Sequence, residues 1–247
     1  MPKHIDLMRK REEEIYSLLE FISRKTRGFS KPKLTMIGGY ALRAYIPFTR
    51  YTRDCDFVIK KEGDWKIDKI KELLSKRMNI EKIEKKEKYG FLRMIDFIRS
   101  GKSKIKISLD FMEGEVRGRS KEQIVLIDGK FIKESILKKI PIAEKEMKIF
   151  VPDYKDYLIL KVVSGRPSDV RDIGALIWKN DIPKNVKTRL KEILPYPEIF
   201  FKNINEIVVL AISDERFVNS WRGTYITTEF TEEIKTEILK KLTDLRL

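Results

Sequence analysis

The sequence predicts an α+β fold, with a sheet in the N-terminal part and helices in the C-terminal part. Short apolar or alternating segments, typical of strands, lie before about residue 112. Past Pro141 the composition shifts, and apolar residues at helical spacing dominate. We therefore predict a domain of residues 1–150, which begins with a helix, and a mainly helical domain of residues 151–247.

The first elements are predicted to alternate between helices and strands. Apolar residues recur at helical spacing over residues 5–24. Residues 34–37 form a short buried strand that ends at a Gly-Gly pair, and residues 40–45 continue as a helix. Residues 53–60 are predicted to form the second strand, and residues 64–76 a helix with its apolar side chains inward.

A hairpin follows, with strands over residues 90–98 and 104–112 and a turn at Ser100-Gly101. In the later strand, apolar residues at odd positions alternate with Lys, Ser and Asp at even positions. Because alternate residues of a strand point to opposite faces, this pattern places Asp110 on the polar face.

The C-terminal part is predicted from helix signals. Val151-Pro152-Asp153 precedes an apolar helical stretch, with Asp153 as a candidate N-cap. A second helix covers about residues 168–178, and residues 184–247 are mainly helical. Prolines and a loop at Trp221-Arg222-Gly223 are expected to interrupt this last region.

The chain is strongly basic. It has 53 Lys and Arg against 38 Asp and Glu, a net charge of +15 and a pI near 9.6. This excess indicates a partner rich in phosphate. Gln123 is the only glutamine, and abundant Lys and Glu are also typical of heat-adapted proteins with surface ion pairs. Ion pairing needs no excess of one sign, so the polyanionic partner is favoured.

Several classes of protein are excluded by single residues. Cys55 is the only cysteine, which excludes an intrachain disulfide and a zinc cluster built on cysteines. His4, the only histidine, lies in the N-terminal tail and leaves Ser-His or Cys-His catalysis without a base. The charged start and the lack of a run of ~18 apolar residues predict a cytoplasmic protein with no membrane partner.

Two acidic residues and two glycines indicate a nucleotide site. Asp54 and Asp56 are one residue apart in the second predicted strand, so both carboxylates can converge on one cation. Gly38 and Gly39 follow the first strand, where backbone N–H groups can approach a phosphate. A tight turn without any ligand is the alternative for these glycines. Together the residues predict a metal-bound nucleotide.

An ordered set of motifs carries a family resemblance over about residues 34–178. The set is Gly38-Gly39-x-Ala41-Leu42, Arg50-x-Thr52-x-Asp54-x-Asp56, Ile107-Ser108-Leu109-Asp110-Phe111, Lys161 and Arg166-x-x-Asp169-x-x-Asp172. The chain resembles the nucleotidyltransferase superfamily with the DNA polymerase β type of palm, and most closely its AbiEii-like branch of nucleotidyltransferase toxins. The resemblance implies a mixed β-sheet with flanking helices of the nucleotidyltransferase type.

The resemblance also implies a catalytic centre of three acids. Asp54, Asp56 and Asp110 would ligate two Mg²⁺ ions, and Asp110 would orient or deprotonate the attacking hydroxyl. Magnesium suits hard oxygen ligands. Asp96, in Ile95-Asp96-Phe97, competes for the third role. Asp110 is preferred because it lies on the later hairpin strand, and Asp96 is otherwise an acid of an edge strand paired with Arg93 or Lys106.

Further residues are expected to border the nucleotide. By resemblance Gly38, Gly39, Arg50 and Thr52 approach the triphosphate, although a surface ion pair is an alternative for Arg50. Lys161 lies in an apolar helical stretch and needs a counter-ion. A nucleotide phosphate would supply one, and extension of the ammonium to solvent is the alternative.

Three residues of the last motif are expected to support the site without binding metal. Asp169 and Asp172 share a helix face at i and i+3 and could hold Arg166 or Lys161 in place.

The function implied is transfer of a nucleoside monophosphate from a nucleoside triphosphate to a hydroxyl, with release of pyrophosphate. The basic charge favours RNA as acceptor, for example the 3′ end of a tRNA. A protein hydroxyl is an alternative acceptor, and a toxin would have a protein antitoxin. A non-catalytic nucleic-acid-binding module and a metal-dependent phosphodiesterase are the other hypotheses.

Overall fold

The structure, a computed structural model, describes residues 3–48, 50–100 and 103–245. Two compact units divide these residues. The first contains residues 3–44, 51–116 and 127–152, and the second contains residues 45–48, 50, 117–126 and 153–245. The α+β class is confirmed, since the first unit contains a large mixed sheet and helices dominate the second. The boundary near residue 150 stays a prediction.

The elements are numbered in chain order. The strands are β1 (Thr35–Ile37), β2 (Asp54–Ile59), β3 (Asn79–Lys86), β4 (Tyr89–Ser100), β5 (Ser103–Glu113), β6 (Glu115–Arg117), β7 (Ile124–Leu126), β8 (Ile136–Ile142) and β9 (Lys145–Val151). The helices are α1 (Lys3–Lys25), α2 (Gly38–Ala41), α3 (Lys66–Leu74), α4 (Gly129–Glu134), α5 (Tyr154–Ser164), α6 (Pro167–Asn180), α7 (Val186–Ile193), α8 (Glu198–Asn203), α9 (Leu210–Ser213), α10 (Phe217–Tyr225) and α11 (Glu232–Asp244). A 3-10 turn follows α2, and a π-helical turn joins α8 to α9.

Seven strands form the sheet, in the order β3-β4-β5-β2-β1-β9-β8. Strands β2 and β5 are parallel, as are β1 and β9, and the other neighbours are antiparallel. The central strand β2 therefore lies between the antiparallel β1, which ends at the glycine pair, and the parallel β5, which contains Asp110. The order of the sheet brings the three predicted motifs of the first unit together.

The core of the first unit lies on the sheet face away from the acids. Cys55, Phe57, Leu109 and Phe111 are fully buried, and the rings of Phe57 and Phe111 stack with centroids 5.3 Å apart. Removing this apolar surface from water stabilises the sheet and fixes which face of each strand is polar.

The N-cap predicted for the first C-terminal helix is confirmed. The Asp153 carboxylate accepts a hydrogen bond from the backbone N–H of Asp156 at 2.9 Å, and α5 begins at the next residue, Tyr154. Gly165 ends the helix in the left-handed conformation, which favours glycine.

The predicted loop at residues 221–223 is wrong. Helix α10 runs through Trp221, which is fully buried and stacks on Phe230 with ring centroids 4.4 Å apart. Burial of a large aromatic residue outweighs the weak helix preference of Gly223. None of the described helices combines the length and the apolar character needed to span a lipid bilayer.

Candidate active site

Asp54, Asp56 and Asp110 share one face of two neighbouring strands. In the parallel register of β2 and β5, Asp56 lies opposite Asp110 and Asp54 lies opposite Ser108. Neighbouring strands are about 4.8 Å apart, and residues opposite each other point to the same face. Asp54 is exposed at the start of β2, whereas Asp110 is buried. The sheet thus places the three predicted acids side by side on its polar face.

The glycine pair packs directly against two side chains of this face. Gly38 has φ +70°, and a Cβ on it would lie 2.1 Å from Oδ2 of Asp56. A Cβ on Gly39 would lie 2.8 Å from Oγ1 of Thr52. Both glycines are therefore required by the positions of Asp56 and Thr52, whether or not a ligand is bound. Nucleotide binding by Gly38, Gly39 and Thr52 stays a prediction.

Asp110 is bound by an arginine that the sequence analysis did not assign to the site. Arg93 lies opposite Asp110 in the antiparallel pair of β4 and β5. Its Nε donates to Oδ1 at 2.8 Å and its Nη2 to Oδ2 at 2.5 Å. These hydrogen bonds raise the pKa of Arg93 above its ordinary value. Ser108 donates from Oγ to Oδ1 of Asp110 at 3.1 Å, so the carboxylate has three donors.

The three acids offer the kind of ligand atoms that Mg²⁺ requires. The ion prefers carboxylate oxygens and keeps water and phosphate oxygens in its shell. Asp54, Asp56 and Asp110 supply the right atoms on one face, so their chemistry fits. Among the described residues, however, no three acidic, His or Cys side chains are already arranged as a metal cluster. Arg93 contacts both oxygens of Asp110, so it would compete with such an ion for this carboxylate.

Asp96, the alternative third acid, lies on the other face of the hairpin. It is opposite Ile107 in the register, and Ile107 is fully buried on the core side. The Asp96 carboxylate accepts a hydrogen bond from the backbone N–H of Phe97 at 2.7 Å. The expected pairing of Asp96 with Arg93 or Lys106 is wrong, because Arg93 binds Asp110 and Lys106 binds Glu81.

The remaining predicted residues form a buried charge cluster in the second unit. Lys161 donates from Nζ to Asp169 at 2.8 Å and to Asp172 at 2.7 Å. Arg50 binds both oxygens of Asp172, each at 2.7 Å. The Tyr225 hydroxyl also donates to Asp172, at 2.6 Å. Asp172 is fully buried, so its charge is balanced entirely within this cluster.

Opposing effects set the protonation of Asp172. Burial alone would raise its pKa, but the charge of Lys161 and the hydrogen bonds of Arg50 outweigh that effect. The pKa of Asp172 therefore lies well below its ordinary value, and the carboxylate is ionised at neutral pH.

The cluster supplies partners within the protein for the charges of Lys161 and Arg50. The counter-ions that buried Lys161 requires are Asp169 and Asp172, so its charge does not by itself call for a phosphate. Arg50 forms an ion pair with a buried partner. Arg50 and Lys161 bind Asp172, whereas Arg166 is the N-cap residue of α6. Nucleotide contacts by Arg50 and Lys161 stay a prediction.

Comparison with known proteins gives a family match. Residues 20–136 match the family described as nucleotidyl transferase AbiEii toxin of type IV toxin-antitoxin systems. This segment contains the glycine turn and all three acids of the sheet face, and it ends before α5 begins. The resemblance seen in the sequence is confirmed over these residues. Residues 20–136 therefore resemble that family, and the match supports a nucleotidyltransferase enzyme.

Two solved structures from Helicobacter pylori were also found. The crystal structure of JHP933 is 15% identical over 86% of each chain, with a TM-score of 0.41. That of a candidate nucleotidyltransferase is 15% identical over 86% of this chain and 88% of the other, with a TM-score of 0.39. No curated protein matches the sequence.

Proposed function

We propose that this enzyme transfers a nucleoside monophosphate from a nucleoside triphosphate to a hydroxyl of RNA, such as the 3′ end of a tRNA, in a magnesium-dependent reaction. One observation carries the proposal. Asp56 and Asp110 lie opposite each other, with Asp54 on the same face and the Gly38 turn against Asp56. The family match over residues 20–136 supports nucleotidyl transfer by this part of the chain.

The acids of the sheet face have distinct roles in this proposal. Asp54 and Asp56 would hold the ions, and Asp110 would complete the ligand set and accept a hydrogen bond from the attacking hydroxyl. Two bound Mg²⁺ ions would lower the pKa of that hydroxyl and neutralise the departing pyrophosphate. The hydroxyl oxygen forms a bond to the α-phosphorus as the bond to the bridging oxygen breaks, and the proton passes to Asp110. No histidine is needed as the base.

RNA is the proposed acceptor because of the charge of the chain. The net charge of +15 attracts a phosphate backbone through contacts that weaken as salt rises. The matched family is described as the toxin of type IV toxin-antitoxin systems, and this supports a protein antitoxin as a further partner. A cytoplasmic location accompanies the proposal, because nucleoside triphosphates and tRNA are found there.

Label transfer from each of the four α-³²P nucleoside triphosphates tests this function. Total RNA and total protein serve as separate acceptors, with Mg²⁺ and with chelator. We expect label in RNA only with Mg²⁺, and a loss of at least ~100-fold in Asp56→Asn. Asp64→Asn is the matched control, because Asp64 is an exposed aspartate outside the sheet face, and it should retain full activity.

The other results separate the competing hypotheses. Label in protein alone would show that the acceptor is a protein hydroxyl and not RNA. RNA binding without any transfer would indicate a non-catalytic module, and hydrolysis without incorporation would indicate a phosphodiesterase. Transfer that is unchanged in Asp56→Asn would contradict the proposed site.

A further inference from the structure

The positive charge of the chain is concentrated in its N-terminal part. Residues 1–150 contain 37 Lys and Arg against 23 Asp and Glu, whereas residues 151–247 contain 16 against 15. Almost the whole excess of positive charge therefore belongs to the part of the chain that forms the sheet. A surface ion-pair network alone would not separate the charges in this way.

Six lysines of the first unit line one cavity of about 590 Å³. We call it the lysine cavity, and its lysines are Lys31, Lys33, Lys60, Lys66, Lys69 and Lys133. They come from the segment before β1, the end of β2, the first turns of α3 and the short helix α4. Glu62 is the one acidic residue in the lining.

Half of these lysines have partners within the protein. Lys66 pairs with Glu62 at 3.1 Å, and Lys60 pairs with the same carboxylate. Lys33 donates from Nζ to the carbonyl oxygen of Ile132 at 2.6 Å and lies over the Phe150 ring. Partial burial lowers the pKa of Lys33. One carboxylate therefore balances only part of the charge of the cavity.

The other three lysines of the cavity can bind an external anion. Lys31, Lys69 and Lys133 are exposed, and within the described part of the chain no ion pair includes any of them. Six ammonium groups around one cavity repel one another, because like charges raise the energy of the compact state. A bound polyanion removes this repulsion and releases counter-ions from its own phosphates.

We propose that the lysine cavity binds the phosphate backbone of the RNA acceptor. Lysine is a compact point charge that contacts phosphate without reading a base. The non-lysine lining is Ser30, Pro32, Ile59, Glu62, Gly129 and Ile132, which includes no aromatic ring on which a base could stack. The chemistry of the cavity therefore suits the backbone of a nucleic acid and not its bases.

The cavity lies away from the three acids. Asp54 begins β2, whereas Ile59 at its other end lines the cavity, a separation of about 17 Å along the strand. The RNA must therefore be longer than the few nucleotides at the reacting end. That the bound RNA is the acceptor rests on the proposed function. Binding of RNA in the cavity needs neither Mg²⁺ nor a nucleotide.

Fluorescence anisotropy with a labelled 30-nucleotide RNA, without Mg²⁺ or nucleotide, tests the cavity. The variant is the triple change Lys31→Ala, Lys69→Ala and Lys133→Ala. The control is Lys76→Ala, Lys138→Ala and Lys148→Ala, which removes three exposed lysines of the same unit outside the cavity. Both variants have the same net charge, so a general effect of charge appears equally in both.

We expect the cavity variant to bind RNA at least ~10-fold more weakly. The slope of its plot of log K against log salt should become less negative by about 2. The control should bind within ~2-fold of the unchanged protein. Equal RNA binding by the two variants overturns the proposal. The proposal is also overturned if the cavity variant binds RNA as before but no longer binds pyrophosphate. The cavity would then take a small phosphate ligand.

The label-transfer assay separates this inference from the proposed function. If the unchanged protein transfers no label but the cavity variant loses RNA affinity, the cavity is an RNA site and the proposed reaction is wrong. If transfer occurs but both triple variants bind RNA equally, the reaction stands and the cavity proposal is wrong.

Discussion

Arg93 and Asp110 form a two-point ion pair at the centre of the candidate active site, with donor to acceptor distances of 2.8 and 2.5 Å. The Asp110 side chain is 6% exposed and that of Arg93 is 37% exposed. Asp110 also lies opposite Asp56, so a cation held by both acids and the guanidinium of Arg93 are alternative partners of one carboxylate. Binding of the ion is thereby linked to the position of Arg93.

Replacement of Arg93 by alanine is expected to strengthen Mg²⁺ binding. Removing the guanidinium frees Asp110 and takes one positive charge away from the sheet face, and both effects favour a cation. We expect half-maximal label transfer at about 3- to 10-fold lower Mg²⁺.

Arg99→Ala is the matched control for Arg93. Arg99 is an exposed arginine on the same strand, opposite Lys104, and its loss should leave the Mg²⁺ dependence unchanged. A higher Mg²⁺ requirement in Arg93→Ala would show that Arg93 supports the ion and does not compete with it.

Replacement of Gly38 by alanine separates backbone strain from displacement of Asp56. At φ +70° the new side chain costs about 1–2 kcal/mol of stability, and its Cβ collides with Oδ2 of Asp56. Gly28 has φ +68° with nothing within 4 Å, so Gly28→Ala carries the backbone strain alone. Urea unfolding should show similar losses of stability in both variants.

Label transfer should distinguish the two glycine variants. We expect a loss of at least ~100-fold in Gly38→Ala, because Asp56 is moved, and little change in Gly28→Ala. Full activity of Gly38→Ala would mean that the Asp56 carboxylate is not needed where the structure places it.

The buried cluster around Asp172 predicts a pH-dependent stability. The pKa of Asp172 is lower in the folded protein than in the unfolded chain, so its stabilisation is complete above the unfolded value of about 3.9 and is lost as pH falls further. Asp172→Asn leaves Arg50 without its carboxylate and should lower the free energy of unfolding by about 3–5 kcal/mol at pH 7.

Urea unfolding between pH 3 and pH 7 measures this effect. The difference between the unchanged protein and Asp172→Asn should shrink below about pH 4. Asp214→Asn is the control, since Asp214 pairs with Arg216 at the surface, and it should change stability little. A difference that stays constant with pH would contradict the assignment of an ionised Asp172.

The sequence predicted the parts of the fold that have strong local signals. The alternation around Leu109 and the apolar run before Gly38 identified β5 and β1, and the N-cap Asp153 identified α5. Strand β3 was missed, because it is an edge strand with mostly charged, exposed residues and little apolar pattern. The β8–β9 hairpin was not identified, although its buried residues alternate from Ile140 to Val151.

The partners of the site residues could not be predicted from the sequence, because they depend on strand register and on contacts between residues distant in sequence. The hairpin of β4 and β5 pairs Ser100 with Ser103, whereas the expected turn at residues 100–101 would pair Ser108 with Arg93. In the observed register each partner in β5 lies two residues further along the chain, so Arg93 lies opposite Asp110. Gly101 lies outside the described residues. Asp172 and Arg50 are 122 residues apart, and no local pattern signals such a pair.

Anomalous diffraction from a crystal grown with Mn²⁺ and a non-hydrolysable nucleoside triphosphate is the most direct test of the three-acid site. We expect a peak at about 2.1 Å from carboxylate oxygens of Asp54, Asp56 and Asp110, with Arg93 moved away from at least one oxygen of Asp110. A peak elsewhere in the molecule, or a nucleotide bound while Arg93 still holds both oxygens of Asp110, would contradict the account.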